Sequence, residues 1–104
     1  MFEVEMENAI DNCFLVVLTF DSKNKGKLTR KCVPFDIGPR RNALSVSKIY
    51  FHFYDLGSPN KQHNLSVEPV NILELRVTEE KFEPSNYVNW TPAWFYPRNW
   101  GNYS

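Results

Sequence analysis

The chain carries no excess charge of either sign, since twelve Lys and Arg offset twelve Asp and Glu. A protein-wide field that would concentrate nucleic acid or an acidic membrane surface is therefore excluded, and any polyanion site has to be a local patch. No apolar run approaches the ~20 residues of a membrane-spanning helix. The opening Met-Phe-Glu-Val-Glu-Met-Glu has neither the basic start nor the apolar stretch of a secretion signal. The expectation is a soluble, cytoplasmic protein with no membrane partner, in which the Asn-x-Ser/Thr triplets at Asn64, Asn89 and Asn102 are chance matches.

Glycine is scarce, with four in the chain. Gly-rich phosphate loops, dinucleotide fingerprints and Gly-x-Ser-x-Gly elbows are all absent. Cysteine is scarcer still, at Cys13 and Cys32. In an intracellular protein both are expected as buried free thiols, although hairpin pairing would bring them within a residue or two of each other. A zinc site built from Cys13, Cys32, His52 and His63 lacks the short Cys-x-x-Cys or His-x-x-x-His pairings that pre-position a metal. No metal, cofactor or catalytic residue is expected.

Hydrophobic residues make up 42% and charged residues 23% of the 104, a balance that supports folding as one domain. Phe2, Met6, Ala9 and Ile10 recur at helical spacing, and Glu3, Glu5 and Glu7 suit the positive end of a helix dipole. The run Phe14 to Phe20 predicts a central strand, with a turn at Asp21, Ser22, Asn24 and Gly26. Lys27 to Val33 predicts the returning strand, which Pro34 should end because proline cannot donate to a ladder. Phe35 to Ser47 suits a loop that includes a short strand around Leu44 and Val46.

Ile49, Phe51 and Phe53 alternate with Tyr50, His52 and Tyr54, which predicts a strand with an apolar and an amphipathic face. After a turn at Gly57 to Asn60, His63 to Val67 and Asn71 to Thr78 predict two more strands, with Ile72 and Glu74 facing away from Leu73, Leu75 and Val77. The fold class is mainly β: a short N-terminal helix and about five antiparallel strands in a barrel or sandwich. Residues 1–84 form this domain, and residues 85–104 form an aromatic tail with Tyr87, Trp90, Trp94, Phe95, Tyr96, Trp100 and Tyr103. The tail reads either as a wrap over a bare edge or core opening, or as a stacking surface for a base or a peptide.

Arg40 and Arg41, with Lys31, Arg30 and Lys48 nearby in sequence, form the densest positive charge. Arginine offers bidentate donors to phosphate, and Tyr50 or Tyr54 could stack on a base beside them. Arg30 shares a predicted strand face with Leu28 and Cys32, so its guanidinium calls for a charge partner or a ligand.

A short helix ending in Ala9-Ile10, a hydrophobic strand, a turn, Arg30 followed by Val33-Pro34, an aromatic strand from Tyr50 to Leu56 and a closing strand stand in that order. Over residues 3 to 84 this order resembles the WYL-domain superfamily of bacterial regulatory modules, with Ile49-Tyr50-Phe51 or Tyr54-Asp55-Leu56 where the family has Trp-Tyr-Leu. The resemblance implies an Sm- or SH3-like small barrel that senses a ligand.

Three functions follow, in order of preference. The first is a non-enzymatic regulatory module binding a ligand, nucleotide or nucleic acid through Arg30, Arg40, Arg41, Tyr50 and Tyr54. The second is a protein-interaction module or homo-oligomer using Trp90, Trp94 and Trp100. The third is a hydrolase using His52 and His63 as acid and base.

Overall fold

The structure, a computed structural model, describes residues 1–40 and 48–104. Arg41 and the strand expected around Leu44 and Val46 lie outside the described residues.

Helix α1 (Glu3–Asn12) forms where the apolar spacing places it, with Met6, Ala9 and Ile10 buried and Glu3 and Glu5 in the first turn. Cys13 ends it in the left-handed region, at φ 57°. The chain then reverses straight into β1 (Phe14–Ser22). β1 pairs antiparallel with β2 (Gly26–Gly38) through a tight turn that closes at Ser22 and Gly26. β3 (Tyr50–Asp55), β4 (His63–Val67) and β5 (Ile72–Lys81) complete one five-stranded antiparallel sheet in the order β4-β3-β2-β1-β5. The protein is thus mainly β with one N-terminal helix, and β4 and β5 are the two edges of the sheet.

Pro34 does not end β2. The strand continues to Gly38, with residues up to Cys32 paired to β1 and residues from Cys32 onward paired to β3. Pro34 lies beyond the last β1 partner and beside a bulge before Asp36. A missing ladder N–H is tolerated at such positions.

The face assignment along β5 also differs from simple alternation. The β1 pairing shifts between Thr19↔Glu74 and Phe20↔Ile72, so Leu73 is an extra residue on β5. The bulge turns both Ile72 and Leu75 into the core and leaves Leu73 exposed. In β3 the alternation holds for Phe51 and Phe53, which are buried, whereas Ile49 precedes the strand and is exposed.

The core joins Val16 and Leu18 of β1, Cys32 and Val33 of β2, Phe51 and Phe53 of β3, and Met6 and Ile10 of α1. Trp100, near the end of the chain, is buried in the same cluster. Both cysteines are free thiols. Cys32 is buried opposite Val16, and Cys13 is half-buried at the helix cap, outside the ladder. Among the described residues no helix is long and apolar enough to cross a membrane.

Candidate ligand cleft

A cleft of about 760 Å³ opens between the β3–β4 pair and the aromatic tail. Ladder pairing fixes one wall: His52 stands opposite Ser66, and Asn64 lies two positions before Ser66 on the same sheet face. Tyr50, two residues before His52, extends that wall. Phe35 and Asp36 of β2 form the floor, and Trp90, Trp94 and Phe95 of the tail form the opposite side.

The tail is held by one buried group. Arg98 donates through Nη2 to Asp36 Oδ1 at 3.1 Å and to the Tyr96 carbonyl at 2.9 Å, and through Nη1 to the Phe35 carbonyl. Its guanidinium stacks 4.1 Å from the Trp94 ring centroid and 4.5 Å from that of Trp100, and the side chain is 0% exposed. Asp36 in turn accepts from the backbone N–H groups of Ile37, Phe95 and Tyr96 at 2.9–3.0 Å. Burial pulls the guanidinium below its usual value, and the Asp36 carboxylate opposes that pull. The charged pair is therefore fully hydrogen-bonded, which is the condition under which a buried ion pair is tolerated. Two further contacts fasten the tail: the Trp100 indole N–H donates to the Ile10 carbonyl at 2.8 Å, and the Tyr96 hydroxyl donates to Asp11 at 2.9 Å.

Of the residues singled out from sequence, Arg40 and Tyr50 come together. The Arg40 guanidinium lies 4.6 Å over the Tyr50 ring, and both line the cleft. They also line a smaller recess of about 220 Å³ with Ser22, Lys23 and Asn71. Arg30 is elsewhere: its Nε lies 3.4 Å from Asp55 Oδ2, so its charge partner is a buried carboxylate of β3. Tyr54 packs between Phe35 and Tyr87 beneath the tail. The tryptophans divide, with Trp90 exposed at 42%, Trp94 half-buried and Trp100 only 6% exposed inside the fold.

The two histidines do not meet. His52 is opposite Ser66 and Asp55 opposite His63, so the histidines are three ladder positions apart, about 10 Å, on opposite sheet faces. Both nitrogens of His52 are engaged, Nδ1 with Ser66 Oγ at 2.7 Å and Nε2 with the Gly38 carbonyl at 2.9 Å. Exposed His63 contacts the Lys61 carbonyl. Among the described residues no three His, Cys, Asp or Glu side chains gather as a metal site would require.

Asp36, Asn64 and Ser66 line the cleft and Arg98 fastens its tail side, and sequence reasoning singles out none of these as a site residue. Arg98 and Asp36 are 62 positions apart, and a single arginine among aromatics gives no sign of a distant partner. The packing of Phe95 on Gly38, where a Cβ would lie 2.7 Å from the Phe95 side chain, is equally silent in one dimension. No protein-family model, curated protein or solved structure matches this chain.

Proposed function

We propose that this domain is a non-enzymatic, WYL-like regulatory module that binds a planar anionic ligand, a nucleotide or the bases of single-stranded nucleic acid, in the cleft between β3–β4 and the tail. The observation that carries this reading is the Arg40–Tyr50 stack at the edge of a cleft rich in aromatic rings. Concave, mostly apolar sites with a few convergent polar groups are the usual form of small-molecule sites, and the volume is in their range. Aromatic faces accept bases by stacking, while an arginine beside them meets phosphate. In this reading the sheet is of the small-barrel, SH3-like type, with the tail packed across its open side. Binding rather than turnover is favoured by the engagement of both His52 nitrogens and by the position of His63 on the other face.

The test is fluorescence anisotropy of short labelled RNA and DNA strands, with mononucleotides as competitors, at low and physiological salt. Wild-type protein is compared with Arg40→Ala and Trp90→Ala. Binding that weakens with salt and with either substitution supports the reading. No binding of strands or mononucleotides in any condition overturns it.

A second reading is an interaction surface for a protein partner or a second copy. Its support is the exposure of Trp90 at 42% and Phe95 at 47%, since exposed aromatics concentrate in interface cores. Sedimentation over a concentration series distinguishes it, because a homo-oligomer raises the mass with concentration and Trp90→Ala lowers it.

A further inference from the structure

The polar wall of the cleft has a fixed direction of hydrogen bonding. The Gly38 carbonyl can only accept, so the nitrogen facing it at 2.9 Å, His52 Nε2, carries the proton. In the neutral ring Nδ1 is then an acceptor, and the Ser66 hydroxyl facing it at 2.7 Å spends its single proton there. Ser66 Oγ is left with acceptor capacity alone toward the cleft. A backbone carbonyl on β2 thereby sets, through one imidazole, which half of a hydrogen bond a β4 side chain offers to a ligand.

Asn64 lies two positions before Ser66 on β4, which puts both side chains on one face about 7 Å apart. Its carboxamide makes no hydrogen bond to another described residue, so it offers one donor and one acceptor to the cleft. The pair together presents two acceptors and one donor beside rings that stack.

We propose that Asn64 and Ser66 read the amino-bearing edge of a stacked base, so that the cleft takes 6-aminopurine and 4-aminopyrimidine bases over their 6-oxo and 4-oxo counterparts. This rests on the cleft being a base-binding site. An exocyclic amino group has two hydrogens, one for Ser66 Oγ and one for Asn64 Oδ1, while Asn64 Nδ2 donates to the adjacent ring nitrogen. A carbonyl at the same position places an oxygen against Ser66 Oγ, which has no proton to give it, and strips the site of that contact. His52 acts through Ser66 and is a positioning residue.

The experiment measures binding of AMP, IMP, CMP and UMP to the whole chain by quenching of tryptophan fluorescence. AMP and IMP have nearly the same shape and the same phosphate, so their ratio isolates the amino group. The expected result is AMP tighter than IMP, and CMP tighter than UMP, each by about tenfold or more. Ser66→Ala and Asn64→Ala bring both ratios toward one through a loss confined to the amino-bearing nucleotides, and Ser66→Thr, which keeps a hydroxyl, restores the ratio. Equal wild-type affinities for AMP and IMP overturn the inference while leaving the cleft a nucleotide site. Absence of binding by all four nucleotides and by labelled strands overturns both.

Discussion

Arg98 Nη2 lies 3.1 Å from Asp36 Oδ1, and this pair joins the tail to β2 with no exposure of the arginine side chain. Removing Asp36 leaves the Arg98 charge buried among Trp94, Trp100 and backbone carbonyls, and removing Arg98 leaves the Asp36 carboxylate buried with backbone N–H groups alone. The expected cost of Arg98→Met or Asp36→Ala is about 3–5 kcal/mol, whereas the double substitution costs less than the sum because no lone charge remains. Urea unfolding measures the cost, and limited proteolysis beyond Glu83 shows whether the tail detaches. A single-variant loss below about 1 kcal/mol with an uncut tail would refute the latch.

Gly38 is a seat for Phe95. A Cβ there would lie 2.7 Å from Phe95 side-chain atoms. Gly38 has a negative φ, so alanine is allowed by the backbone, and the clash alone sets the sign. Gly38→Ala should destabilise by about 1–3 kcal/mol through overpacking. The same change made on a Phe95→Gly background, which removes the Cβ as well as the ring that the methyl meets, should be close to neutral. Equal costs on the two backgrounds would show that Phe95 is not what the new methyl meets.

The two contacts above also mark where sequence reading stops. The helix over Met6, Ala9 and Ile10 and the β3 alternation of Phe51 and Phe53 were legible because each depends on a local period. Pro34 was misread because its cost depends on whether a neighbouring strand still runs beside it, which is a property of the sheet. A single-residue bulge turns Ile72 into the core and Leu73 out of it, against simple alternation, while Leu75 and Val77 keep the face that alternation gives them. The arginines show the same limit. Arg30 meets Asp55 between β2 and β3, Arg98 meets Asp36 from the tail, and Arg40 meets Tyr50 at the cleft, and the local sequence does not distinguish the three.

The thiols should differ in reactivity. Burial pushes the Cys32 thiol well up, Asp55 pushes the same way, and Arg30 opposes. Burial also raises Cys13, with Lys81 opposing, but that thiol is only half-buried. Since the thiolate is the nucleophile, both should alkylate more slowly than an unfolded thiol, Cys13 before Cys32. Mass spectrometry after iodoacetamide treatment of native and urea-unfolded protein gives the order. Prompt modification of native Cys32 would contradict its place opposite Val16.

Tyr96 carries a stability term with a definite pH sign. Burial first, and then the hydrogen bond to Asp11, push its phenol up to about 12, against about 10 for a free tyrosine. The folded state therefore holds the proton more tightly than the unfolded chain. The contribution is fully present below pH ~10 and is lost as pH rises through the folded value. Tyr96→Phe removes the group that titrates, so the difference in unfolding free energy between wild type and variant should shrink steadily across that window. Comparing the two proteins cancels the alkaline titrations of groups that do not face Tyr96; Arg98 is the exception, since its guanidinium and the Tyr96 phenolate stabilise each other. Phenolate absorbance should show one late-ionising tyrosine in the wild type that the variant lacks. A difference in stability that stays constant to pH ~12 would mean that the Tyr96 hydroxyl is not held by Asp11 and that the tail is fastened there by its ring alone.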